Sequence, residues 1–131
     1  MGGSIADLQN VVNQAIDAFN RGDMAAVMNR FTADAEVKSL GPRPHEPHGV
    51  IGTFTAPTCQ EAIQRQFNEN SHFTPININF APPNGTVDQA TVTGAAHWTD
   101  IKGTDHIRFI FKCHFDTSRG WLFKNVSGTA G

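Results

Sequence analysis

The sequence predicts an α+β domain in which helices cover one face of a twisted sheet. Three observations lead there. Apolar residues recur at helical spacing in three segments before about Asn70, with one strand between the second and the third, they alternate in period two from Phe73 onward, and there are no internal repeats and no low-complexity tail. A chain of 131 residues suits one domain with one core.

The elements follow in order. Ser4, followed three residues later by Asp7, resembles a capping box, and Ile5, Leu8, Val12, Ala15, Ile16 and Phe19 then repeat along one helix face to about Asn20. Arg21-Gly22 ends that helix. Asp23 can cap a short second one whose apolar side is Met24, Val27, Met28 and Phe31. Thr58 with Glu61, directly after Pro57, marks a third helix with Cys59, Ile63 and Phe67 on one side. Ile76, Ile78 and Phe80 then alternate in a strand, PPNG turns the chain, and strands Val92–Asp100, Asp105–Phe115 and Trp121–Ser127 complete an antiparallel meander.

A four-residue loop, IKGT, between two of these strands would set Asp100 opposite Asp105. Trp98, Ala96, Gly94 and Val92 then face Ile107, Phe109, Phe111 and Cys113 on an apolar side. His97 faces Arg108 and Thr99 faces His106 on a polar one. Small residues opposite phenylalanines imply either tight core packing or room for a flat ligand, and both readings stand at this point. In the last strand Trp121, Phe123 and Asn125 share a side. If that side continues the apolar face, Asn125 is a ligand-orienting carboxamide, because burying it without partners costs about 1–3 kcal/mol; a bulge would instead turn it to water. Opposed aspartates at the end of an apolar face would repel, letting one hold its proton and serve as a general acid beside a base. Solvated aspartates flanking a hairpin loop are the alternative.

Composition narrows the function. Ten basic against 12 acidic residues, net charge -2 and no basic run argue against a nucleic-acid partner. No basic-then-apolar leader is present and no run of about 18 apolar residues occurs, so the sequence reads as a cytoplasmic protein without a membrane partner. Cys59 and Cys113 are set among apolar residues and read as core thiols. His45 and His48 in HEPH lack the spacing of a helical zinc site, so no metal is expected, and no P-loop or dinucleotide fingerprint occurs, so no cofactor is expected. The chain has no Tyr, so acid–base work falls to His, Asp or Glu. His72, at the exit of the third helix, is placed either in the cavity or as a cap on carbonyls.

The run AIDAFNRGDMAAVMNRFTADAEVKS resembles the opening of the nuclear transport factor 2-like superfamily, and the Thr58–Phe67 helix and the closing GWLFKNVS strand fit the same plan. The resemblance implies a cone-shaped α+β barrel: a curved antiparallel sheet wrapped around three helices of the N-terminal half, with a pocket inside and a homodimer through the outer sheet. The superfamily includes SnoaL-like polyketide cyclases, ketosteroid isomerases, scytalone dehydratases and limonene epoxide hydrolases. The isomerase type would want a tyrosine and two aspartates where this chain has Ala15, Ser39 and Phe111, and the hydrolase's R-x-D is missing from the strands. The dehydratase's His–Asp pair has only Asp17 with His72 as candidates, with Asp17 on the polar side of its helix. The cyclase type moves a proton with an aspartate or histidine, a role open to Asp100, Asp105 or His72. In such a fold SLGPRPHEPHGVIGTF (Ser39 to Phe54) is a pocket lip rather than a linker.

The expectation is thus a cofactor-free enzyme acting on a hydrophobic oxygenated small molecule by cyclisation, isomerisation or dehydration. Asp100, Asp105 and His72 are its catalytic candidates. Asn125, Trp98, Phe109, Phe111, Phe123, Ser39, Phe54 and His48 are its substrate-binding candidates. A binding or dimerisation domain of the same fold is the rival.

Overall fold

The computed structural model describes residues 2–39, 53–55 and 58–130, without the side chains of 38, 39, 53–55, 58, 59, 62 and 130. The first helix, α1 (Ile5–Asn20), begins as expected. The Ser4 hydroxyl oxygen accepts from the Asp7 amide at 3.1 Å, satisfying one of the free donors of the first turn. Ile5, Leu8, Val12 and Ala18 are buried, and Ala15, Ile16 and Phe19 pack half-buried against them. The helix stops at Arg21, after which Gly22 adopts φ 71°, a left-handed conformation that side chains other than glycine resist. Asp23 then caps α2 (Met24–Met28) by accepting from the Ala26 amide at 3.1 Å. Phe31, expected on α2, instead opens β2 (Phe31–Ser39).

The remaining elements are β3 (Thr53–Thr55), α3 (Thr58–Asn68), β4 (His72–Ala81), β5 (Thr86–Val87), β6 (Gln89–Asp100), β7 (Gly103–Asp116) and β8 (Gly120–Ala130). One curved, six-stranded sheet runs in the order β3-β2-β8-β7-β6-β4. The short β5 pairs separately with β1 (Gly3–Ser4). One pair departs from the expected antiparallel sheet: β2 and β8 are parallel. β2 enters from the helices and not from a tight hairpin, so no turn forces the two strands to run in opposite directions. No helix among the described residues is long and apolar enough to cross a membrane.

The β6–β7 hairpin corrects the expected register. It turns over two residues, Ile101 and Lys102, so Asp100 pairs with Gly103, and Asp105 lies opposite Trp98 instead of Asp100. Gly103 takes φ 132°, and Asp100 closes the turn by accepting from the Lys102 amide at 2.8 Å. The slip is an even number of residues, so both faces keep their composition. The inner face now pairs Ala96 with Ile107, Gly94 with Phe109 and Val92 with Phe111, while the outer face pairs His97 with His106.

Two bulges follow. Lys112 pairs with Asn125 but Cys113 pairs with Phe123, which leaves Lys124 as an extra residue in β8 and reverses the parity beyond it. In β4 the ladder slips between Pro75 and Asn77, leaving Ile76 46% exposed rather than in the expected alternation. The Asn77 side chain mends that gap by accepting from the Ala95 amide at 3.1 Å. Gly94 sits under this irregularity: a Cβ on it would run into the Asn77 carbonyl oxygen and lie 2.7 Å from Phe109 Cζ.

Two long-range ties hold the helices to the sheet. β4 is an edge strand, and Asn20 reads its backbone as a neighbouring strand would. The Phe73 amide donates to Asn20 Oδ1 at 2.7 Å, and Asn20 Nδ2 donates to the Phe73 carbonyl at 2.8 Å. Losing both bonds would strand a partly buried amide and carbonyl, a penalty of about 1–3 kcal/mol. At the other end Trp121, 1% exposed, donates from Nε1 to the Ser4 carbonyl at 2.9 Å and packs edge-on against Phe115. The same residue that caps α1 is therefore anchored to the last strand.

Candidate functional site

The inner face of the sheet is aromatic from one side to the other. Ring centroids step from Phe31 to Phe123 (6.0 Å), Phe111 (5.5 Å), Phe109 (4.9 Å) and Phe73 (5.1 Å). A second group, Phe19 with Phe67 at 5.3 Å and with Trp98 at 5.8 Å, joins α1, α3 and β6. These spacings lie in the range where aromatic pairs attract beyond their burial. Phe31, Phe73, Phe109 and Phe123 are buried core, whereas Phe19, Phe67, Trp98 and Phe111 keep part of their surface accessible. Gly94 gives its space to the Phe109 ring, so the small-against-large pattern there is core packing and not room for a ligand.

Polar groups enter this face at the β6–β7 end. Trp98 Nε1 donates to Asp100 Oδ2 at 3.1 Å, while the other Asp100 oxygen holds the turn. Asp105 is the cross-strand partner of Trp98, and both carboxylates are half-buried. The Ile101 amide donates to the Glu69 carbonyl at 3.0 Å, which pins the hairpin to the end of α3. The structure thus brings Trp98, Asp100 and Asp105 together with the accessible ring of Phe19 nearby, although the aspartates sit diagonally and not opposite each other.

Two expected site residues stand elsewhere. His72 pairs with Thr99 on the outer side, is exposed, and holds Nδ1 3.0 Å from the Asn70 carbonyl; one residue of strand parity separates it from the inward Phe73. Asn125 is turned outward by the Lys124 bulge and lines a shallow depression of about 290 Å³ with Gln89, Thr91, Lys112, His114 and Lys124. Lys124 there is paired with Asp34 at 3.1 Å, and its hydrogen bond holds the Asp34 carboxyl below the usual range. Phe109 and Phe123 are substrate-facing in expectation and buried in fact. The backbones of Ser39 and Phe54 lie in β2 and β3, but their side chains, and His48 as a whole, lie outside the described residues.

Cys113 is buried, and desolvation pushes its thiol up to about 12. It stays protonated and is no nucleophile. Among the described residues no three of His, Cys, Asp and Glu gather as a metal cluster. Sequence reasoning missed the direct contact of His97 with His106, ring centroids 4.7 Å apart; a two-residue turn would have revealed it.

No protein-family model matches the chain, and no curated protein does. Solved structures do. A nuclear transport factor 2-like protein of unknown function from Pseudomonas putida superposes with TM-score 0.74 at 8% identity, over 96% of this chain and 85% of that one. A ketosteroid isomerase-like protein from Erwinia carotovora atroseptica gives 0.66 at 15% identity, over 92% and 91%. A Xanthomonas campestris protein provisionally named a calcium/calmodulin-dependent protein kinase II association domain gives 0.73 at 12% identity, over 95% and 86%. At such identities the likeness is one of fold: the helices and curved sheet form the nuclear transport factor 2-like cone.

Proposed function

We propose that this chain, built on the nuclear transport factor 2-like fold, is a cofactor-independent proton-transfer enzyme that cyclises, isomerises or dehydrates a hydrophobic oxygenated small molecule. The observation that carries the reading is the placement of Asp100, held by the Trp98 indole where the aromatic inner face ends, with Asp105 beside it. The accessible surfaces of Phe19, Phe67, Trp98 and Phe111 would take the flat apolar part of the substrate. Asp100, whose two oxygens already accept from fixed donors, would take the proton from carbon. Asp105 would give one to the rearranged carbon or oxygen or, in a dehydration, to the hydroxyl that leaves as water, and solvent at these half-buried carboxyls would return the proton from Asp100 to Asp105.

The substrate is sought by mass spectrometry of a small-molecule extract incubated with the protein. For the converted compound, Asp100→Asn and Asp105→Asn are each expected to lower kcat by about 10²–10⁴-fold and to remove one limb of the pH–rate profile. Wild-type rates in both variants would refute the roles; an extract returned unchanged would refute the activity.

A second reading, an association domain, is favoured by the outer face, where Ile110 is 44% exposed opposite Thr93. Two copies paired there would cover it. Light scattering after size exclusion is expected to show a dimer that Ile110→Lys turns into a monomer. A wild-type monomer at high concentration would dismiss the pairing.

A further inference from the structure

We propose that His97 and His106 form a site for one divalent transition cation of the zinc class on the outer face of the sheet, separate from the aspartates. The two residues are direct cross-strand partners on adjacent central strands, so the pleat and not a flexible loop sets their spacing. Their rings lie edge to face at 88°, with centroids 4.7 Å apart. That spacing suits a shared ion. A zinc–imidazole bond of about 2.0–2.1 Å puts each ring centre about 3 Å from the metal, and a tetrahedral angle between two such bonds separates the centres by about 5 Å. Rotation about the side-chain bonds would aim one nitrogen of each ring at the same point.

The nitrogens are available. Among the described residues neither ring takes part in a hydrogen bond, and His106 is exposed with His97 half-buried. The neighbouring rows are the Thr99–Thr104 hydroxyl pair, in contact at 2.9 Å, and Ala95 opposite Arg108. The alanine leaves room on one side, while Arg108 in that row opposes a cation. On β4, Thr74 faces His97. No third His, Cys, Asp or Glu among the described residues joins the pair, so water completes the coordination. Two imidazoles without a carboxylate select zinc, nickel or copper over magnesium and calcium, which want oxygen ligands.

The test is a titration of the untagged full chain with zinc sulfate, followed by calorimetry and by the imidazole nitrogen resonances. One equivalent is expected, with a dissociation constant on the order of tens of micromolar at neutral pH. His97→Gln and His106→Gln should each weaken binding by about tenfold or more, and the double variant little further, since one ligand alone no longer chelates. Acidification should abolish binding because protons compete for the same nitrogens, and magnesium should give no response. The thermal melt of His106→Gln should match wild type, as exposed substitutions normally do. Binding that survives the double variant, binding lost instead in His45→Gln/His48→Gln, or no shift of the His97 and His106 resonances in millimolar zinc would each overturn the assignment.

Discussion

Gly94→Ala is expected to destabilise the fold by about 1–3 kcal/mol, and Gly94→Val by more, because the added carbons enter space already held from two sides. One side is the Phe109 ring, 2.7 Å from the position of a new Cβ; the other is the carbonyl oxygen of Asn77. The two obstacles differ in kind. A ring edge can be trimmed, but the carbonyl belongs to the bulged backbone of β4, whose course is fixed by the Asn77 side chain on the Ala95 amide. Urea melts of Gly94→Ala, Phe109→Leu and the double variant separate the two. The expected result is a small coupling that restores only part of the loss, leaving the share due to the carbonyl. Full restoration would place the whole conflict on the ring, and a neutral Gly94→Ala would refute the close approach altogether.

The second large effect belongs to Trp121. Trp121→Ala should lower stability by about 3–5 kcal/mol, the usual range for removing a buried tryptophan. Set against a typical total of about 5–15 kcal/mol, such a loss takes the domain to the edge of unfolding. Trp121→Phe is the more instructive change. It keeps most of the apolar contact with Phe115 but leaves the Ser4 carbonyl, the acceptor at 2.9 Å, without its donor, for about 1–3 kcal/mol. Because Ser4 also caps α1, hydrogen exchange of the first-turn amides around Leu8 should quicken in Trp121→Phe. Unchanged protection there would show that the indole tie and the helix cap are independent.

Local signals in the sequence located the helices and the faces of the strands. Ser4 with Asp7 marked the start of α1, Asp23 marked α2, and the alternation along β6 and β7 survived a two-residue slip because an even shift preserves parity. Features that depend on one residue of count were misread. The β6–β7 turn is two residues long because Gly103 can take a positive φ, and that turn parted Asp100 from Asp105 while joining His97 to His106. An extra residue at Lys124 moved Asn125 to the outer face, and another at Ile76 broke the pattern of β4. Contacts across long separations left no mark at all: nothing around Asn20 announces the backbone of Phe73, 53 positions away. The fold is shared with solved structures and the candidate site rests on Trp98 and its two aspartates, so the register error changed the site far more than it changed the fold.

The parallel pairing of β2 with β8 also bears on how the chain reaches this structure. It matches Glu36 with Asn125 and Ser39 with Gly128, while the indole of Trp121 reaches the Ser4 carbonyl, 117 positions away. Closing such loops comes before any contact that rewards it, so folding should be slow for a domain of this size. On the ribosome β2 can meet β3 early, but it waits through the synthesis of α3 and the whole meander before its other neighbour, β8, exists. Its apolar residues Phe31, Ala35 and Val37 stay without the cover of β8 until the last strand is made, which makes this strand a segment a chaperone would protect.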